Sequence, residues 1–249
     1  MKKQTYFSVG MIALTAILIS TIPTKAQILW GSATNISTDT DVLTNGTYFD
    51  AALLDTNFAL GAGAVSSPGV SNFLTVNGVS FNTIGGQNVG SDPSGDISIN
   101  SGRNPFTGAN SPSGSASYNT LVTHAEYSQN STQTISLAHL TIGDTYQVEV
   151  WSSAKGQPAF VTDLNGANTV SLSSTTGQYA VGTFTAAAST FSFTSVNDAT
   201  SVNGVDMLNA ISLRDITAAV PEPSTYALLF AGLLTLGFVQ SRRLKSQSL

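Results

Sequence analysis

Cysteine is absent from this 249-residue chain. That one absence excludes a disulfide framework, a thiolate zinc site and a cysteine nucleophile. Charge is scarce too, at 9% of residues, and acids outnumber bases by 14 to 9. Such a balance argues against nucleic acid as a partner, since a phosphate backbone demands a basic footprint. There is no phosphate loop or dinucleotide fingerprint, and Ser66-Ser67 and Ser173-Ser174 sit outside any Gly-x-Ser-x-Gly elbow. No internal repeat and no convincing amphipathic helix of twelve or more residues interrupt the chain. What remains plentiful is Gly, Ser, Thr and Asn, the composition of an exported all-β protein. A chain of this length is one domain with appendages, and a body of its size hides roughly 70% of its unfolded surface.

Both ends read as addresses. Met1-Lys2-Lys3 is basic, Phe7 to Ile22 is mostly apolar, and Thr24 and Ala26 place small residues before a cut at Gln27. This order describes a secretory signal peptide over residues 1–26, removed by signal peptidase between Ala26 and Gln27. An uncleaved membrane anchor is the alternative. At the other end, Val220-Pro221-Glu222-Pro223-Ser224 stops any strand, because two prolines remove backbone donors. Tyr226 to Val239 is then an apolar stretch of fourteen residues, closed by Arg242, Arg243 and Lys245. A helix of that length covers about 21–24 Å, short of the roughly 30 Å hydrocarbon core. Snorkelling arginines and local thinning make up the difference, so a short transmembrane helix is expected. The positive-inside rule keeps the basic cluster cytoplasmic and the body outside. A buried core helix is the rival reading of that stretch.

Pro221-Glu222-Pro223, the apolar helix and Arg242-Arg243 together resemble the PEP-CTERM sorting signal over residues 219–249. The resemblance implies export, transient anchoring in the inner membrane, and processing by the membrane protease-transferase exosortase. It further implies delivery to the cell surface or its polysaccharide matrix. Pro221, Glu222, Pro223, Arg242 and Arg243 are then recognition elements for another enzyme.

Residues 27–218 carry only Arg103, Lys155 and Arg214 against thirteen acids, a formal charge near −10. Such a surface stays soluble and favours cations over anionic partners. Strand patterns recur at short spacing. Tyr146 to Trp151 alternates so that Tyr146, Val148 and Val150 share one face. Similar runs are Leu74–Phe81, Asp96–Asn100, Leu121–Tyr127, Gln133–Leu137, Ala159–Thr162, Thr169–Leu172, Tyr179–Phe184, Thr190–Thr194 and Ile211–Arg214. Asn77-Gly78, Gly85-Gly86, Gly143-Asp144 and Asn165-Gly166 supply tight turns. The expected fold class is all-β: a single jelly-roll-like β-sandwich, flanked by the signal-peptide helix and the C-terminal transmembrane helix. Gly90–Ser117, with Pro93, Pro105 and Pro112, is expected to be a long exposed loop or an internal excursion, with a plain surface insertion favoured. Leu140 to Tyr146 reads as a sandwich corner, in which a leucine packs inward and a tyrosine pins the turn. With Asn209 to Arg214, this half of the body (132–215) resembles galactose-binding-like jelly rolls.

Signals for chemistry are sparse. His124 and Glu126 project from one face of an expected strand, a pairing read as a surface His–Glu pair. His139 is expected to cap a loop. Asp39 with Asp41 and Asp92 with Asp96 are acid pairs in turn-rich segments. Hard oxygen ligands of this kind suit Ca²⁺, and a structural ion is the one cofactor the sequence suggests. Turn-forming aspartates are the competing account. Trp30 and Trp151 are candidate sugar-stacking residues, with core packing as the alternative. Asn35, Asn45 and Asn130 begin Asn-x-Ser/Thr sequons. The reading is a non-enzymatic exported protein with a structural or adhesive role beside exopolysaccharide. The rivals are a carbohydrate-binding module with a defined glycan site and, more distantly, a polysaccharide-active enzyme.

Overall fold

The computed structural model describes residues 26–54, 73–84, 89–100, 103–107, 114–129, 132–154, 160–201 and 204–218. The signal-peptide core, the Gly85-Gly86 turn, Asn130 and the C-terminal segment from Pro221 to Lys245 lie outside these residues, so nothing structural bears on them.

The first strands are β1 (Leu29–Trp30), β2 (Thr34–Asn35) and β3 (Thr47–Leu53), with a 3₁₀ turn over Asp39–Asp41. A hairpin of β4 (Phe73–Val76) and β5 (Val79–Thr83) follows, then β6 (Val89–Ser91), β7 (Ile97–Asn100) and β8 (Arg103–Thr107). One short helix, α1 (Ala116–Thr123), precedes β9 (His124–Gln129) and β10 (Gln133–Leu137). The strands that follow are β11 (Thr145–Ser152), β12 (Val161–Asn165), β13 (Thr169–Ser173), β14 (Gln178–Thr185), β15 (Phe191–Asn197), β16 (Val205–Leu208) and β17 (Ala210–Asp215).

These strands form three sheets. The largest runs β1-β14-β11-β17-β3-β5-β4, with β2 also paired to β14. A six-stranded sheet runs β13-β12-β15-β10-β7-β6, and β16-β9-β8 make a small third sheet. The pairings are antiparallel except β3 with β5, where Ala52 lies opposite Asn82 and Leu53 opposite Thr83. Inward residues of the two larger sheets meet in one apolar core. Val148, Val150, Ile211 and Leu213 come from one side, and Ile97, Ile99, Ile135, Leu137, Leu164 and Phe193 from the other. This interleaving is how a β-sandwich buries its alternate residues.

The anticipated corner is present. Leu140 is buried in the core, Gly143 takes φ +94°, and the Tyr146 hydroxyl accepts from the Thr141 amide at 2.9 Å. The Asn77-Gly78 turn is present too, with both residues at positive φ (47° and 77°), as a tight hairpin between twisted strands requires.

Three expectations need correction. Leu74–Phe81 is not one strand, because the Asn77-Gly78 turn divides it into the β4–β5 hairpin. Leu121–Tyr127 is not one strand: its first residues finish α1, whose N-cap Ser115 accepts from the Tyr118 amide at 3.1 Å. Gly90–Ser117 is not simply an exposed loop, because its described part contributes β7, β8 and the start of α1. β8 sits at an edge of its sheet, the place where a strand tolerates a residue such as Pro105 that lacks an N–H. Among the described residues no helix is long and apolar enough to cross a membrane.

Candidate functional site

The acid pairs singled out from the sequence do not converge on one another. Asp39 and Asp41 share the 3₁₀ turn but face different partners. Asp39 Oδ1 accepts from the Ser115 amide at 2.6 Å, and the Ser115 hydroxyl, with that amide, holds its carboxyl below the usual range. Asp41 is buried, accepting from the Ser37 hydroxyl at 2.8 Å and from the Tyr118 hydroxyl at 2.5 Å. Asp96 turns outward to His139 Nδ1 at 2.6 Å. His139 holds a left-handed φ of 56° and does pin its loop, through that contact.

Asp92 turns inward and meets Asp50, a residue the sequence reading passed over. Both carboxyls are 3% exposed. Asp50 lies on β3, where Oδ1 accepts from the Ala51 amide at 2.8 Å. Asp92 lies on the β6–β7 turn, where Oδ1 accepts from the Ile97 amide at 2.9 Å. Ser94 Oγ sits between them, 3.0 Å from Asp50 Oδ2 and hydrogen-bonded to Asp92 Oδ2. A hydroxyl has one proton to give. Burial pushes the Asp50 carboxyl up to about 7, helped by the hydrogen bond and charge of Asp92. Burial acts on Asp92 too, but the Ser94 hydroxyl and Ile97 amide outweigh it and hold that group below its usual range. The pair therefore shares one proton, carried by Asp50, with Ser94 relaying the bond. This acid–hydroxyl–carboxylate chain braces β3 against the β6–β7 turn.

A second buried acid occupies the outer face of the large sheet. Glu149 on β11 is 1% exposed and accepts from the Leu43 amide at 3.1 Å. Burial pushes it up to about 8, against the opposing pull of that amide. Arg214 on β17 holds the strap beside it, donating to the carbonyls of Thr44, Asn45 and Gly46 at 2.5–3.0 Å. A third, Asp206 on β16, is fully buried; desolvation raises it to about 7, and the Ser195 hydroxyl donates to it at 2.9 Å.

Both sugar-stacking candidates lie inside. Trp151 is fully buried against Phe81 and Tyr179, and Trp30 is 3% exposed with its ring edge-on to Phe193. With their faces covered, neither offers a platform to a sugar ring, so their place is the core. Glu126 is likewise fully buried and His124 half-buried, which corrects the surface-pair reading. His124 Nδ1 lies 2.9 Å from the Thr120 carbonyl; a carbonyl only accepts, so the ring carries its proton there. Among the described residues, no three side chains of the metal-binding types converge on one point. At the start of the body, half-buried Ala26 and exposed Gln27 precede buried Ile28, so a cut between them leaves β1 whole.

The buried acids carried a legible signal in retrospect. Asp50 and Glu149 each interrupt a run of apolar residues on strands whose two faces are both covered.

Residues 219–243 match the model of the PEP-CTERM protein-sorting motif. No curated protein matches this chain. The motif marks an exported protein sorted by exosortase, and it makes exosortase the processing partner.

Proposed function

We propose that this chain is a non-enzymatic component of the cell surface or extracellular matrix, held beside exopolysaccharide after exosortase processing. The observation that carries the reading is the sorting motif at 219–243. Signal peptidase acts at Ala26–Gln27, the C-terminal helix anchors the precursor in the inner membrane, and exosortase acts near Pro221-Glu222-Pro223. The body is a galactose-binding-like jelly roll, a reading supported by the two-sheet core and the Tyr146 corner. A structural role accords with the buried acids, each of which braces secondary structure.

The test is retention. Cells are treated with an enzyme that degrades their exopolysaccharide, and the protein is followed between surface and medium. Release in step with the polysaccharide is expected. Unchanged retention would contradict the matrix role, and turnover of the polysaccharide by the purified protein would replace it with an enzymatic one. The burial of Trp30 and Trp151 weighs against a defined glycan site built on tryptophan.

A further inference from the structure

One cluster of buried reactive groups has no part in the sorting chemistry. Gln133 on β10 and Ser195 on β15 are Cα partners across an antiparallel pair. Paired residues project to the same face, with Cβ atoms about 4.5–5.5 Å apart. Both side chains are fully buried, in line with Ile135 and Leu137 on one strand and Phe193 on the other. Asp206 on β16 crosses their end: its Oδ2 accepts from the Ser195 hydroxyl at 2.9 Å. The Gln133 carboxamide lies close enough to this carboxyl to pull its pKa down, against the larger effect of burial. The Ser128 backbone acts on the carboxyl in the same way, but these contacts are loose: no hydrogen bond of full geometry reaches either polar atom of the carboxamide or Asp206 Oδ1 among the described residues. Three such atoms in one dry site are costly, and a structure that keeps them invites a chemical explanation.

We propose that Gln133 and Ser195 are the two ends of an intramolecular ester cross-link, formed with Asp206 as the proton-transfer group. Ser195 Oγ attacks Gln133 Cδ while Asp206 Oδ2 takes the hydroxyl proton. The tetrahedral centre collapses, the Cδ–Nε2 bond breaks, and the proton passes from Asp206 to the departing nitrogen. A primary amide and an alcohol become an ester and ammonia, with no oxidant, reductant or co-reactant. The site suits each step. The nucleophile already donates to its base. A carboxyl raised to about 7 by burial is matched to giving and taking a proton near neutrality. Full burial of all three side chains excludes the water that would otherwise hydrolyse the product. The bond would pin the two central strands of the six-stranded sheet to each other, a covalent staple in a chain without cysteine.

The full chain is expressed with its signals, recovered from the cell surface and digested, and the peptides carrying Gln133 and Ser195 are identified by mass spectrometry. A total mass alone is not decisive, since an N-terminal Gln27 cyclises with the same loss of ammonia. The expected result is one linked pair of peptides, lighter than their sum by about 17 Da for the ammonia displaced by the nucleophile. Dilute hydroxylamine should cleave it. Ser195→Ala should abolish the linked pair, and Asp206→Asn should cut its yield at least about 10²-fold, the usual contribution of a positioned acid–base group. Two separate peptides with Gln133 intact, or with Gln133 hydrolysed to glutamate, would overturn the proposal. That readout needs only the wild-type protein and so does not depend on the variants folding.

Discussion

The two faces of β11 differ in kind. Tyr146, Val148 and Val150 look into the space between the two larger sheets, where they meet apolar side chains. Glu149 and Trp151 look the other way, into a second layer closed by Tyr118, Leu121 and Val122 of α1 and by Val42. That outer layer holds ionisable groups as well as carbon: Asp41, Glu149 and Arg214 are all buried on that side of the sheet or in the strap beside it. The inner face is held by area removed from water. The outer face is held partly by hydrogen bonds and by a proton that Glu149 keeps. The difference teaches that a sheet buried on both faces need not be apolar on both.

Substitutions should separate the two faces. The largest effect is expected at Trp151, where truncation to alanine empties a fully buried site against Phe81 and Tyr179 and costs about 3–5 kcal/mol. Ile211→Ala, on the inner face, should cost about 2–5 kcal/mol by the same mechanism. Urea denaturation of both variants checks these values, and near-zero losses at Trp151 would mean the outer layer is loose.

The next effect is pH dependence. Glu149, Asp50 and Asp206 all have carboxyls raised by burial, to about 8, 7 and 7. The folded state therefore holds protons that the unfolded chain releases above its ordinary values, 4.5 for Glu149 and 3.8 for the two aspartates. Stability is full below those ordinary values and declines as pH rises towards 8. Glu149→Gln keeps the shape without the ionisation, so it should flatten the decline and gain on the order of 3 kcal/mol at pH 8 relative to wild type. Ile211→Ala should leave the slope unchanged. Denaturant titrations at pH 5 and pH 8 measure both.

Smaller effects complete the contrast. Tyr118→Phe removes the hydroxyl that donates to buried Asp41 and should cost about 1.5–3 kcal/mol, with the helix otherwise intact by circular dichroism. Gly78→Ala meets no neighbour within 4 Å, so only its φ of +77° opposes the change, for about 1–2 kcal/mol. A thermal melt resolves that last step.

How much of this was legible in the sequence follows from the same contrast. Alternation located β10 to the residue, and located β7, β11, β13, β14, β15 and β17 closely, because each has one face whose burial imprints a period of two. β3 was passed over because the burial of Asp50, Ala51, Ala52 and Leu53 in succession erases that period. The short β1, β2, β6 and β16 hold too few residues to show any period. Helix α1 is only eight residues long, below the length at which apolar spacing separates helix from strand. Among the site residues, the aspartates were visible as letters but their partners were not. Asp92 finds Asp50 where the six-stranded sheet packs on the large one, and Asp96 finds His139 through the pairing of β7 with β10, 42 and 43 positions away, and no local pattern encodes either meeting.

On the proposed account, the sorting motif at 219–243 and the signal peptide are each read by a processing enzyme as linear sequence. Their processing is therefore the most direct test of the account. Peptide mass spectrometry should define both ends of the protein recovered from cell surface and medium. The account predicts an N-terminus at Gln27 and a C-terminus ahead of Tyr226, with the wild-type C-terminus alone lost when Pro221-Glu222-Pro223 is replaced by alanines. A surface protein that still carries Tyr226–Leu249 in the membrane would contradict it.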